Sequence, residues 1–250
     1  MTKTAQSPFF INAHIKSLRF DDTVLFEDLD LTLQGGDWTC LLGVSGVGKS
    51  TLLKLIAGLS PETASAEITC SDGNQLAERV AYMGQQDLLM PWLSVVDNVL
   101  LGDRLRGTFD PKRLGLAHEL LDSAGLRAYA SALPAKLSGG MRQRAALVRT
   151  LMEEKPVVVM DEPFSALDVI TRLKLQDMAA ELLSGRTVFL VTHDPLEALR
   201  LGGKVFLMSG RPARLELVAD LASKAPRSVT DKEVVERQAQ ILARMQEEVA

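Results

Sequence analysis

Residues 43–50 read Gly-Val-Ser-Gly-Val-Gly-Lys-Ser, between the apolar run Thr39–Leu42 and a helical stretch over Lys49–Leu59. This is the pattern GxxxxGK[ST] in the strand–loop–helix setting that gives it chemical meaning. Its glycines let the backbone curl until successive N–H groups converge on one point, and the following helix adds the positive end of its dipole. Both features select phosphate. Gly43, Val44, Ser45, Gly46, Val47, Gly48, Lys49, Ser50 and Thr51 are therefore candidate phosphate-binding residues. Lys49 is placed for the β- and γ-phosphates of a nucleoside triphosphate, and Ser50 for Mg²⁺ through its hydroxyl.

A strand feeding directly into such a loop implies a sheet with helices on both faces. The other apolar runs agree. Val157–Met160 and Val188–Val191 are continuously apolar, as strands buried on both sides must be. From Asp28 to Gln34 the alternation is that of a half-buried strand: Leu29, Leu31 and Leu33 apolar, Asp30 and Thr32 polar. Helical stretches over Met141–Glu153 and Arg172–Leu183 separate the later strands, which points to a mainly parallel α/β core. Between about residues 88 and 148 the strand signal vanishes and helical patterns such as LAHELL take over, marking a helical subdomain. The segment after Thr230 opens with TDKE, a capping-box pattern, followed at helical spacing by Val234, Ile241, Met245 and Val249. The expected division is one domain over 8–228 and an amphipathic helix over 229–250.

Val157-Val-Val-Met-Asp161-Glu162 ends an apolar strand in two carboxylates. Asp161 is placed to hold Mg²⁺, through water, and Glu162 to act as base or orienter for an attacking water. Bulk properties narrow the function from the other side. A net charge of −4 and a pI near 5.5 argue against a broad nucleic-acid surface. The two cysteines, Cys40 and Cys70, have no metal-ligand spacing and fit a reducing compartment, Cys40 as a buried thiol. No run approaches the roughly 20 apolar residues that span a bilayer, and MTKTAQSPFFINAH lacks the apolar core of a secretory signal. Work at a membrane would need a partner.

Leu137-Ser-Gly-Gly-Met-Arg-Gln-Arg144 is the most specific element. Here the chain resembles the nucleotide-binding domains of ABC transporters, whose signature is LSGGQ-like, with Met141 in place of the commonest glutamine. The resemblance runs from about Ile11 to Pro212 in the family's order and spacing. It implies a P-loop, RecA-like α/β core with an N-terminal antiparallel β subdomain and an inserted helical subdomain. ATP and Mg²⁺ are the implied cofactors. Ser138, Gly139 and Gly140 precede a helix and expose backbone N–H groups at its start, an anion site. The family implies that this site meets the γ-phosphate held by a second copy, so that two chains sandwich two ATP molecules head to tail.

Further positions carry over from the resemblance one by one. Phe20, 29 residues before Lys49, stands where an aromatic ring packs on adenine, with a core phenylalanine as the structural alternative. Gln85 takes the place of the switch glutamine that senses Mg²⁺ and the attacking water. Gln86 is adjacent, and Gln85 is preferred because it precedes Pro91 by six residues. Asp168, in SALD, resembles the loop that crosses to the second copy, and it also suits a helix N-cap. His193, in VTHD, resembles the histidine that contacts γ-phosphate. His14 and His118 have no such context and read as structural or surface residues.

Long coiled-coil insertions, as in DNA-repair ATPases of this family, are absent from the pattern, and there is one ATPase unit rather than two. Leu88-Leu-Met-Pro-Trp-Leu-Ser-Val95 looks like the segment that receives a helix of importer permeases; core packing is its structural alternative. Together with LSGGMRQR it is similar to the importer branch for nitrate, sulfonates, taurine and thiamine-precursor pyrimidines, nearest in wording to the hydroxymethylpyrimidine group. The expected subunit is peripheral at the cytoplasmic face of the inner membrane. It would dimerise on ATP and serve a permease and, indirectly, an extracytoplasmic solute-binding protein. The alternative is a cytosolic ATPase of the same family that drives assembly of a non-transport complex.

Overall fold

The computed structural model describes residues 9–20, 23–59 and 64–247. Strands β1 (Ile11–Phe20), β2 (Thr23–Leu33) and β4 (Ser65–Cys70) form an antiparallel sheet in the order β2-β1-β4. Between β2 and β4 the chain lays down β3 (Trp38–Gly43) and helix α1 (Lys49–Ile56). Strands β5 (Val80–Met83), β6 (Val157–Asp161), β7 (Thr187–Val191), β8 (Lys204–Ser209) and β9 (Arg214–Asp220) join β3 in a second sheet, order β5-β6-β7-β3-β8-β9. All its pairings are parallel except β8 with β9.

Every residue of β3, β6 and β7 is buried. Alternate side chains on these strands point to opposite faces, and each face has its own core. Cys40, Leu42, Val158, Met160, Val188 and Leu190 pack toward the larger helical layer. Leu41, Val157, Val159, Phe189 and Val191 pack with α1 and the antiparallel sheet. Both cysteines are buried and unpaired with each other. On β2, Leu29, Leu31 and Leu33 are buried and Asp30 and Thr32 exposed, as the alternation requires.

Helices α2 (Val95–Val99), α3 (Leu101–Arg106), α4 (Pro111–Ser123) and α5 (Gly139–Met152) lie between β5 and β6 in the chain. Then α6 (Val169–Leu182) follows β6, and α7 (Pro195–Leu201) follows β7. Two expected helix starts move. Helix α5 begins at Gly139, not Met141, because Ser138 is the N-cap: its hydroxyl oxygen accepts from the Met141 N–H at 3.3 Å. Gly139 and Gly140 thus form the helix's first turn. Likewise α6 begins at Val169 because the Asp168 carboxylate accepts from the Thr171 N–H at 3.0 Å.

Helix α8 (Lys232–Glu247) packs against α7. The expected capping box at Thr230 is not the one used. Asp231 accepts from the Glu233 N–H at 2.9 Å, and the Thr230 N–H goes to Ser228. Val234 and Ile241 are fully buried in the larger core, with Met245 partly so; Val249 lies outside the described residues. Because Ile241 is closed off from water, Ile241→Ala should lower unfolding free energy by roughly 2–5 kcal/mol. Denaturant titration measures this, and nucleotide affinity at permissive temperature should stay at the wild-type level.

Candidate functional site

At the end of β3 the chain turns into the Gly43–Gly48 loop without room for side chains at two points. A Cβ on Gly43 would lie 2.6 Å from the Met208 carbonyl oxygen. Gly48 has φ 114°, and its Cβ would lie 3.0 Å from the Phe26 ring. Val44 and Val47 turn their side chains into the core beneath, so only their backbones face outward. Helix α1 starts without a side-chain cap, which leaves its first N–H groups free for an anion.

The loop walls a cavity of about 380 Å³ lined by Leu25, Ser45, Gly46, Gly48, Lys49, Ser50, Thr51, Gln85 and Glu162. Lys49 is nearly buried, and its ammonium donates to the carbonyls of Gly43 at 2.8 Å and Val44 at 2.9 Å. Burial lowers its pKa, opposed by the negative charges of Glu162 and Asp161. Gln85 lines this cavity, while Gln86 does not. Both line a second opening that runs to Gly139.

Asp161, last residue of β6, is buried and hydrogen-bonded to Ser50. Burial raises its pKa; the Ser50 bond and Lys49 counter this, and Glu162 adds to it. The hydroxyl of Ser50, the carboxylate of Asp161 and the amide of Gln85 supply hard oxygen donors, which suit Mg²⁺. Among the described residues no group of three or more His, Cys, Asp and Glu side chains could hold a metal alone. A cation here would therefore be completed by phosphate oxygens and water.

Glu162 has φ 50°, a conformation that costs a non-glycine residue energy and persists only where its surroundings hold it. Its N–H donates to the Val191 carbonyl at 2.8 Å, and its own carbonyl accepts from the Ser165 hydroxyl at 3.0 Å and the Gln143 amide at 3.4 Å. So held, its carboxylate reaches both the cavity and His193, whose Nδ1 is 3.3 Å from Oε2. His193 leads on from β7 in a half-exposed position. His14 is paired with Asp30, and His118 is exposed.

Not every candidate joins this cluster. Ser138 and Gly139 are exposed and line no part of the phosphate cavity. A Cβ on Gly140 would come 3.0 Å from the Ala166 carbonyl oxygen, so this glycine also serves the close approach of the Asp168 loop. Asp168 is exposed as well. The backbone of Phe20 closes β1, but its side chain lies outside the described residues.

A second surface follows Gln85 directly. Trp92 is 72% exposed and Leu88, with φ 45°, is 55% exposed. The core-packing alternative for Trp92 is thus excluded. Buried Asn98 explains the shape. Its amide donates to the carbonyls of Met90, Leu93 and Ser94, and its carbonyl accepts from the Met90 N–H. Arg149 of α5 donates to the carbonyls of Asp87 and Leu88, and Arg142 pairs with the Asp87 carboxylate. Asn98, Arg149 and Leu25 are not singled out by the sequence, and Arg142 and Gln143 only as members of the 137–144 run. Each acts on backbone or side chains brought near by folding, and no spacing signals that.

Comparison with known proteins follows the same geometry. The family model described as ABC transporter matches residues 26–165. An uncharacterized ABC transporter ATP-binding protein of Haemophilus influenzae is 48% identical over 195 residues, 77% of this chain and 79% of that protein. Aliphatic sulfonates import ATP-binding protein SsuB 1 of Pseudomonas savastanoi is 37% identical over 237 residues, 94% of this chain and 95% of that one. The dimeric post-hydrolysis structure of the ATP-binding cassette MJ0796, bound to ADP and Pi, superposes with TM-score 0.71 at 27% identity. It covers 87% of this chain and 99% of its own.

Removing the buried ammonium should remove charge-assisted hydrogen bonds to phosphate. Lys49→Ala is expected to weaken binding of a nucleoside triphosphate by roughly 1.5–3 kcal/mol, about ten- to hundredfold in affinity. Calorimetric titration of the folded variant measures this.

Proposed function

We propose, from the premise that this chain belongs to the ABC transporter family and is an ATPase, that it powers an importer whose pore is a separate permease. One observation carries the reading. The phosphate loop, Ser50 with Asp161, Gln85 and the Glu162–His193 pair converge on one cavity, while the signature at Ser138 lies exposed outside it. A chain so built holds the two halves of a site apart and completes them with a second copy.

When ATP enters, the N–H groups of Ser45–Thr51 receive its phosphates, and Lys49 exchanges the carbonyls of Gly43 and Val44 for phosphate oxygens. Mg²⁺, when bound, neutralises charge on the β- and γ-phosphates; Ser50, Gln85 and Asp161, the last through water, are the residues to hold it. Glu162 orients the attacking water and accepts its proton. His193, beside Glu162, faces the terminal phosphate. Ser138, Gly139 and Gly140 of a second copy close over that phosphate, and Asp168 crosses to the partner. Phe20 is assigned to the adenine.

Among the described residues no helix is long and apolar enough to cross a membrane, so coupling to transport needs a joint with the permease. The Leu88–Val95 segment, with Leu88, Pro91 and Trp92 exposed, is assigned that role, which supports an importer over an assembly ATPase and a peripheral position at the cytoplasmic face of the inner membrane. An extracytoplasmic binding protein would select the solute. Relatives named for aliphatic sulfonates import, 36–38% identical over more than nine-tenths of this chain, support a small sulfonate-type solute. No relative reported above carries a name that supports the pyrimidine expectation. Residues 8–228 are read as one ATP-binding domain and 229–250 as an added helix.

Two experiments test this. Glu162→Gln should bind Mg-ATP yet hydrolyse it about 10²–10⁴-fold more slowly. It should also form an ATP-dependent homodimer by light scattering, which a further Ser138→Arg abolishes. Near-normal turnover, or a monomer throughout, would refute the assignment. Trp92→Ala should melt within about 0.5 kcal/mol of wild type, as an exposed residue does. Its permease binding should weaken by roughly 2 kcal/mol, with reduced uptake. Full permease binding in that variant would reject the joint.

A further inference from the structure

Next to His193, starting at Thr192, lies a buried polar chain. Thr192, Gln176 and Glu197 are each no more than 3% exposed, and Arg200 is 7% exposed. Arg200 Nη1 donates to Gln176 Oε1 at 2.8 Å, and Gln176 Nε2 donates to Glu197 Oε2 at 3.1 Å. The Thr192 hydroxyl is also hydrogen-bonded to Glu197. It already accepts the Asp194 N–H at 3.1 Å.

The direction of every bond in this chain is determined. A guanidinium only donates, so Gln176 must turn its carbonyl to Arg200 and its amide to Glu197. A backbone N–H only donates, so the single Thr192 proton is left for Glu197. Glu197 therefore faces a donor on each side and must accept from both. Both donors favour the ionised carboxylate, which accepts them more strongly; a proton on it would weaken these bonds and leave an O–H in need of a further acceptor.

The chain matters because of what it joins. Thr192 and Asp194 flank His193. Thr192 is tied through Glu197 to Gln176 on α6. Asp194 is tied to α6 by Arg172, whose Nη1 lies 3.1 Å away and whose Nη2 donates to the Leu167 carbonyl at 3.1 Å. The loop carrying His193 is thus fastened on both sides to α6, the helix capped by Asp168. We propose that Glu197 is a positioning residue for ATP hydrolysis, its ionised carboxylate holding the Thr192–Asp194 loop so that His193 stays aligned with Glu162 and the terminal phosphate.

The proposal rests on the reading of His193 given above. Burial raises Glu197 to about 7, against the lowering by its bonds to Thr192 and Gln176. The other titratable and charged groups facing it are Asp194 at the start of α7, which raises it, Arg172 from α6, which lowers it, and the buried Cys40 thiol from β3. The aligned, ionised state is therefore the one populated above about 7 and lost as pH falls through it.

The experiment is steady-state ATP hydrolysis by the full chain across neutral pH. It compares wild type, Glu197→Gln, Thr192→Val and His193→Ala, each checked for folding by thermal melting. Wild-type kcat should decline as pH falls through about 7. Glu197→Gln keeps the shape and removes the charge. Its kcat should be lower by about 10- to 100-fold, the scale of a small misplacement at a reacting centre. Its KM for ATP should be unchanged and the acid decline gone. Thr192→Val removes one donor to the carboxylate, so its decline should move to higher pH. This second variant carries the test if Glu197→Gln does not fold. Wild-type kcat with the wild-type decline in the folded variants would overturn the inference alone, provided His193→Ala is inactive. Full hydrolysis by His193→Ala would overturn the reading of the site, and this inference with it.

Discussion

Lys49 and Asp161 are both nearly withdrawn from water, and each is partly compensated by the other's charge, beside the larger effects of Glu162 on Lys49 and of Ser50 on Asp161. Burial lowers the first pKa and raises the second, and each group's field opposes the other's shift. An isolated charge at either position would be neutralised or expelled. The site gives each of them further partners. Lys49 rests on loop carbonyls, and Asp161 has the Ser50 hydroxyl beside it. On the function proposed, both groups would meet a phosphate and its cation from positions the fold already holds. Such preorganisation avoids reorganisation during the reaction, which makes electrostatic stabilisation effective.

Glu162 shows where the fold concentrates strain. Its positive φ turns the chain away from β6 as soon as the sheet ends, so that two adjacent carboxylates face different partners. Asp161 stays inside the sheet, facing Ser50; Glu162 looks across the cavity edge to His193. The bonds from Val191, Ser165 and Gln143 to the Glu162 backbone draw on β7, the Asp168 loop and α5. One strained residue is thereby a junction of three elements.

The exposed features lie on segments fastened to this junction. Helix α5 starts at the Ser138 cap, contributes Gln143 to Glu162, and uses Arg142 and Arg149 to moor Asp87 and Leu88. Trp92 is held out to solvent just beyond, by Asn98. Signature, cavity and apolar outer segment are thus mechanically continuous within one chain.

Sequence alone determined whatever a residue does to its own neighbourhood. The phosphate loop, the apolar strands that bracket it, and the carboxylates after Val157–Met160 are contiguous, so their chemistry follows from spacing. Asp168 was legible as a cap for the same reason, since a short polar side chain bonds its own backbone a few residues on. That rule also marks its limit: both Thr230 and Asp231 suit a cap, and the helix uses Asp231. The α/β class and the two-faced burial of β3, β6 and β7 needed only periodicity. Tertiary structure decided everything that depends on which distant residues meet. Gln85 rather than Gln86 lines the phosphate cavity, a choice made only when the segment after β5 comes to lie beside the loop. Trp92 is a surface residue because Asn98 holds its loop away from the core. Glu197 reads in sequence as one more acid on a helix. Its role comes from Gln176 and Arg200, whose donors fix the direction of each hydrogen bond only once α6 and α7 have packed together.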